Sequence, residues 1–154
     1  MALSGTSALY RLVYRSTAMG VLSGADLDRI LLRAKASNAG AGITGLVLFN
    51  EGTFLQALEG PPAGVLSLME KIRRDRRHSN LTILENELTT TRAFPGWAMG
   101  YVAPRNLTGG QKQAFCSLLT AANVRHTLKA APGPSEIAGQ LWSFLGGFRK
   151  AEAA

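Results

Sequence analysis

The stretch Asn38-Ala39-Gly40-Ala41-Gly42-Ile43-Thr44-Gly45, continued by Leu46-Val47-Leu48-Phe49-Asn50, admits two readings that lead to different folds. Residues 40–45 spell a literal G-x-G-x-x-G. Such a loop cradles a pyrophosphate only when a strand comes before it and a helix opens after it. Here the order is reversed. Upstream lies SGADLDRILLRAKASN, with Ser23 as N-cap, Asp26 three residues on, and Leu27, Ile30, Leu31 and Ala34 at helical spacing. Downstream, GITGLVLFN is an apolar strand that runs into the turn Asn50-Glu51-Gly52. Gly40 and Gly42 therefore serve to end a helix in left-handed conformations, and a phosphate loop is rejected. Asn38 survives that rejection. It falls eleven residues after Leu27, which puts an amide on the apolar stripe at the helix C-terminus, facing the sheet.

Working outward, LYRLVYRS alternates, with Tyr10, Leu12, Tyr14 and Ser16 on one side and Leu9, Arg11, Val13 and Arg15 on the other, as in a strand. TFLQALE completes a hairpin with the apolar strand. Pro61-Pro62 opens a second helix whose core face is Val65, Leu68, Met69 and Ile72. NLTILENELTT is a further strand, TRAFPGW an irregular turn, and WAMGYVAP a last strand ended by Pro104. The order β-α-β-β-α-β-β, with right-handed crossovers, stacks both helices on one face of a mixed sheet. That is a ferredoxin-like α+β fold with an added strand, in which the first and third strands lie side by side. Beyond Pro104, TGGQKQAFCSLLTAANV and PSEIAGQLWSFLGGFRK read as amphipathic helices. They are expected to cover the open sheet face that carries Leu9 and Val13. The chain thus divides into a domain over 1–104 and a helical extension over 105–154.

Composition narrows the function. With 154 residues, 46% hydrophobic and 18% charged, the chain can bury a core without disulfides or metal, and no metal is expected. It lacks a basic n-region followed by an apolar h-region and any run long enough to span a bilayer, so it reads as cytoplasmic with no membrane association. Cys116 is a lone thiol in an apolar helical pattern and is expected to be buried and inert. The net charge of +7 raises the question of a polyanion partner. Five of the seven residues Lys71–Arg77 are basic, but the rest of the excess is scattered, so the cluster reads as a solvated helix end and nucleic acid is not expected as a partner.

Polar residues stand where apolar ones belong. Gln56 shares a strand face with Phe54 and Leu58, and burying its amide without partners would cost about 1–3 kcal/mol. Tyr14 lies beside Leu12 on the inner face of the neighbouring strand. A phenol, a glutamine amide and the Asn38 amide thus converge between the sheet and the first helix. Tyr14 and Gln56 alone could satisfy each other as a polar core pair. Three such groups, with donors and acceptors and no catalytic His, Asp or Glu among them, look instead like a pocket that reads the edge of a planar heterocycle.

Over about residues 8–104 the chain resembles a BLUF domain, the blue-light sensor that binds FAD. The pieces that carry the resemblance, in order, are RLVYRS, LDRILLRAKASNAGAGITGLVLF, GTFLQALEGP, IRRDRRHSN and RAFPGWAMGY. The resemblance implies FAD as cofactor, with FMN the alternative. Its flavin-contacting positions are Tyr14, Asn38, Gln56, Lys71, Asp75, Arg77 and His78. Asn38 would hydrogen-bond the pyrimidine edge, and Gln56 would bridge Tyr14 to N5 and the C4 carbonyl. Lys71, Arg77 and His78 would supply cationic donors to the C2 carbonyl or to the ribityl and phosphate groups. Tyr14 would give an electron and, through Gln56, a proton to the excited flavin, leaving the Gln56 amide rotated or tautomerised. Trp97 and Met99, two apart on one face of the last strand, would compete for the space beside Gln56. Ser37 occupies a variable family position that adjusts flavin affinity.

The implied function is a short photoreceptor rather than an enzyme, signalling by contact with a protein partner through residues 105–154, where Arg125, His126 and Lys129 are candidates. A homo-oligomer, dimer or larger, is expected because an uncovered sheet face or helix stripe would expose apolar area. The alternative is a ferredoxin-like nucleic-acid-binding module, but the sheet lacks exposed aromatic pairs for stacking bases. A hydrolase or flavin enzyme lacks a paired nucleophile and base.

Overall fold

A computed structural model describes residues 8–20, 23–102, 107–117 and 143–145. The elements run β1 (Leu9–Ala18), α1 (Gly24–Ala41), β2 (Thr44–Asn50), β3 (Thr53–Gly60), α2 (Pro62–Arg74), β4 (His78–Thr89) and β5 (Gly100–Val102). One sheet forms in the order β4-β1-β3-β2-β5. Neighbours are antiparallel except β2 and β5, which are parallel. The ferredoxin-like expectation is met, including the central placement of β1 beside β3.

α1 begins as its sequence requires. The Ser23 hydroxyl accepts from the Asp26 N–H at 3.1 Å and the Asp26 carboxylate accepts from the Ser23 N–H at 3.1 Å, a closed capping box. Its end departs from expectation, because Gly40 is still helical and Gly42 alone takes the left-handed conformation, at φ 71°. The third glycine of the opening motif has another purpose. A Cβ on Gly45 would sit 2.1 Å from the Ala57 carbonyl oxygen, so β2 approaches β3 this closely only without a side chain there.

β5 is shorter than expected. The strand does not start at Trp97, since residues 97–99 are irregular and pairing begins at Gly100. The carbonyls that would form its first rungs are taken. Trp97 O accepts the Gly45 N–H at 2.8 Å, and Ala98 O accepts the Asn38 side-chain amide at 2.8 Å.

The sheet divides two apolar clusters. On the helix side, Leu12, Tyr14, Val47 and Leu58 pack with Val65 and Met69 of α2 and with Met99. On the other side, Val13, Leu46, Leu48 and Leu55 lie under Phe94, Leu107, Phe115 and Leu145. The expected cover over Val13 is therefore present where the chain is described. Residues 109–117 are helical, as the sequence led one to expect. Cys116 in this helix is exposed rather than buried, because the inward position is taken by its neighbour Phe115, at 1% exposure. Arg125, His126, Lys129 and most of the second C-terminal helix lie outside the described residues.

Candidate functional site

β1 and β3 set the floor of the site by register alone. Tyr14 lies directly opposite Gln56, and both side chains point to the helix side. The Tyr14 hydroxyl donates to Gln56 Oε1, and Gln56 Nε2 donates to Met99 Sδ at 3.5 Å. Tyr14 is 3% exposed. Burial, and after it the negative charge of Asp75, push its ionisation well above the ordinary phenol range. The phenol therefore remains a proton donor to the glutamine at every physiological pH.

Above this pair opens a cleft of about 350 Å³ between α1 and α2. Its walls are the apolar faces of the two helices, chiefly Leu27, Ile30, Leu31 and Ala34 of α1 and Leu68 and Ile72 of α2. Asn38, 2% exposed, lines it from the α1 end. Its Nδ2 is spent on Ala98 O, and among the described residues nothing donates to its Oδ1. The expected convergence of phenol and two amides is thus observed, with Met99 as a fourth participant.

At the rim, the expected cationic group is only partly available. Lys71 is exposed and lines the cleft. Arg77 is held by Asp75 through contacts of 2.5–3.0 Å, which keep the Asp75 carboxyl below the usual range and the guanidinium above its own. His78 is neither an exposed loop residue nor a free donor. It opens β4, its Nε2 lies 2.6 Å from Ile72 O and its Nδ1 2.8 Å from Ser16 Oγ. A carbonyl can only accept, so Nε2 carries a proton and Nδ1 can accept from the serine hydroxyl. Both ring nitrogens are committed to the protein, and only the ring itself faces the cleft.

Trp97 and Met99 do not share a face. Met99, 2% exposed, lies against Gln56 in the helix-side cluster, whereas Trp97 packs with the opposite cluster and lies over Gly100. The two-residue alternation that placed them together holds only in a strand, and this stretch is not one. Ser37 also lines the cleft.

Residues not singled out in the sequence complete the surroundings. Ser16 holds His78, and Glu59, wholly buried, accepts from the backbone N–H groups of Ala93 and Phe94. Glu59 could have been found as Gln56 was, since it alternates with Leu55 and Ala57 on an apolar face. Among the described residues no group of three or more His, Cys, Asp or Glu could hold a metal ion, and no helix is long and apolar enough to cross a membrane.

Polar groups that recognise hydrogen-bonding edges, set in the floor of an apolar cleft between two helices with charged side chains in its lining, suit a planar heterocycle bearing a polar tail. The base-stacking alternative is not favoured, because the sheet face such a module leaves open is occupied by Leu107, Phe115 and Leu145.

Residues 9–100 match the family model described as BLUF, sensors of blue-light using FAD. Photoactivated adenylate cyclase subunit beta of Euglena longa is 37% identical over 97 residues, 62% of this chain and 11% of that protein. The chain spans about a tenth of the length of that relative. Among solved structures, BlrB, a BLUF protein in its dark state, is similar with a TM-score of 0.68 at 28% identity, over 93% of this chain and 98% of that one. A bacterial light-regulated adenylyl cyclase is similar with a TM-score of 0.67 at 36% identity, over 78% of this chain and 35% of the other.

Proposed function

Because the chain belongs to the BLUF family, the flavin-binding sensors of blue light, we propose that it is itself a photoreceptor that takes FAD into the α1–α2 cleft and answers light by rearranging the Gln56 amide. The observation that carries this is the chain of contacts from the Tyr14 hydroxyl to Gln56 Oε1 and from Gln56 Nε2 to Met99 Sδ. Asn38 and Gln56 would hold the heterocycle by its polar edge, while Lys71, with Arg77 and Asp75 at the rim, would meet the tail. A bound flavin supplies the absorption of blue light and, when excited, a strong oxidant.

Tyr14 is the electron donor in this scheme, and its phenolic proton leaves along the hydrogen bond to Gln56. When electron and proton return, Tyr14 is restored and the Gln56 amide is left turned or tautomerised. A turned amide presents Nε2 to the Tyr14 oxygen and Oε1 to Met99. The thioether has no proton to give, so the Gln56–Met99 contact is lost. Residues 97–99, which lead straight into β5, then have reason to move, and the apolar cluster containing Trp97 and Phe94 carries the change to the helical cover. The output is contact with a protein partner through the segment 105–154, with no reaction turned over by this chain. A homo-oligomer is part of the same proposal.

The test is optical. Purified protein should be yellow, its flavin bands should shift red under blue light, and they should recover in darkness. Chromatography of the released pigment should identify FAD, with FMN the other outcome. Tyr14→Phe and Gln56→Leu should keep the pigment and lose the shift; a normal photocycle in both would overturn the mechanism. Colourless protein whose binding to DNA or RNA falls with salt would return the nucleic-acid alternative.

A further inference from the structure

Glu59 is a charged side chain with no exposure at all, on the sheet face opposite Gln56 and outside the cleft. A buried carboxylate without partners is very costly. This one is fully engaged: Oε1 accepts from the Thr44 hydroxyl at 2.9 Å and the Phe94 N–H at 2.6 Å, and Oε2 accepts from the Ala93 N–H at 2.8 Å. Arg92 fastens the same place from the loop side. Its guanidinium donates to Thr44 Oγ1 at 2.9 Å, to Gly42 O at 2.7 Å and to Glu59 O at 3.5 Å. The Thr44 hydroxyl thus receives from Arg92 and gives to Glu59, relaying one charge to the other.

These bonds tie the start of the segment between β4 and β5 to the end of α1 and the start of β2. Its far end is tied separately, by the Gly45 N–H to Trp97 O and by the Asn38 amide to Ala98 O, each at 2.8 Å. Only Pro95 and Gly96, the latter at φ 83°, lie between the anchors. The next residue after the second anchor is Met99, whose sulfur meets Gln56. With so short a span, the origin of the segment decides where Met99 lies.

We propose that Glu59 is a positioning residue for the light response: its carboxylate fixes the origin of the 92–99 segment and so holds Met99 at the Gln56 amide. The consequence for light rests on the photoreceptor function proposed above, whereas the anchoring of Met99 does not. Because Glu59 lies across the sheet and is not among the side chains that line the cleft, replacing it removes no group from the lining, and its effect there comes only through Met99.

Glu59→Gln keeps the shape of the side chain but sets an NH2 group where one backbone N–H needs an acceptor. The expected result is unchanged pigment content, amide exchange at Ala93 and Phe94 faster by about tenfold, a displaced Met99 methyl resonance, and a lit-state decay rate changed by about tenfold, the equivalent of one charge-assisted hydrogen bond. Arg92→Gln, made at a half-buried position, should move the same readouts in the same direction and carries the test if the Glu59 variant does not fold. A lowered melting temperature with the Met99 resonance and decay rate unchanged would make Glu59 structural only and overturn the proposal. If the unsubstituted protein has no photoresponse, the photoreceptor function fails, and the Met99 resonance alone then decides whether the anchor stands.

Discussion

At Tyr14 a single hydroxyl carries both a stability argument and the proposed chemistry. Its native ionisation is raised by burial, so the folded state stays protonated in a range where the unfolded chain loses its proton. The contribution to stability is complete below the ordinary phenol value near pH 10 and is lost as pH rises through the higher native one. Unfolding titrations above about pH 10 should therefore show stability falling by about 1.4 kcal/mol per pH unit from this residue alone. Tyr14→Phe should remove that component, and equal slopes in the two proteins would refute it. Tyr14, Gln56 and Asn38 were legible in the sequence because each is a polar group on an apolar stripe. His78 was legible as a site residue but not in its role, because its partners, Ser16 and Ile72 O, come from β1 and α2. No spacing within its own segment reports them.

At the scale of elements, α1 and the β2–β3 pair test different physics. The capping box satisfies donors at the α1 terminus, so Ser23→Ala should lower stability by about 1 kcal/mol, read by denaturant unfolding, with the flavin spectrum unchanged. Gly45→Ala is far more severe. The added methyl would meet a backbone oxygen 2.1 Å away rather than a movable side chain, so the β2–β3 pair must part; soluble protein with an unchanged melting temperature would contradict the register found here. The helices and the hairpin were readable from periodicity and turn residues, which act within a few positions. The start of β5 was not. Alternation assumes an extended chain, and residues 97–99 gave up that form because Gly45 and Asn38 claim their carbonyls.

For the whole molecule, the sheet is a partition between the cleft and, among the described residues, a face covered by Leu107, Phe115 and Leu145. Phe94, at 0% exposure, stands in the second cluster beneath Phe115 and Leu145. Phe94→Ala should cost about 3–5 kcal/mol in unfolding experiments and loosen the cover, since the void opens where segment and helices meet. Light scattering in the dark and under blue light should reveal a homo-oligomer whose size or stability responds to illumination; a monomer indifferent to light would remove that part of the proposed output. The order of elements, the faces of β1 and β3 and the family follow from the sequence by itself, because apolar period, caps and turns are local and the motifs occur in a fixed order. Which of Trp97 and Met99 meets Gln56, how His78 spends its nitrogens, and what Glu59 holds were decided only by the tertiary structure. Each depends on hydrogen bonds between segments far apart in the chain, which the pattern within any one segment does not encode.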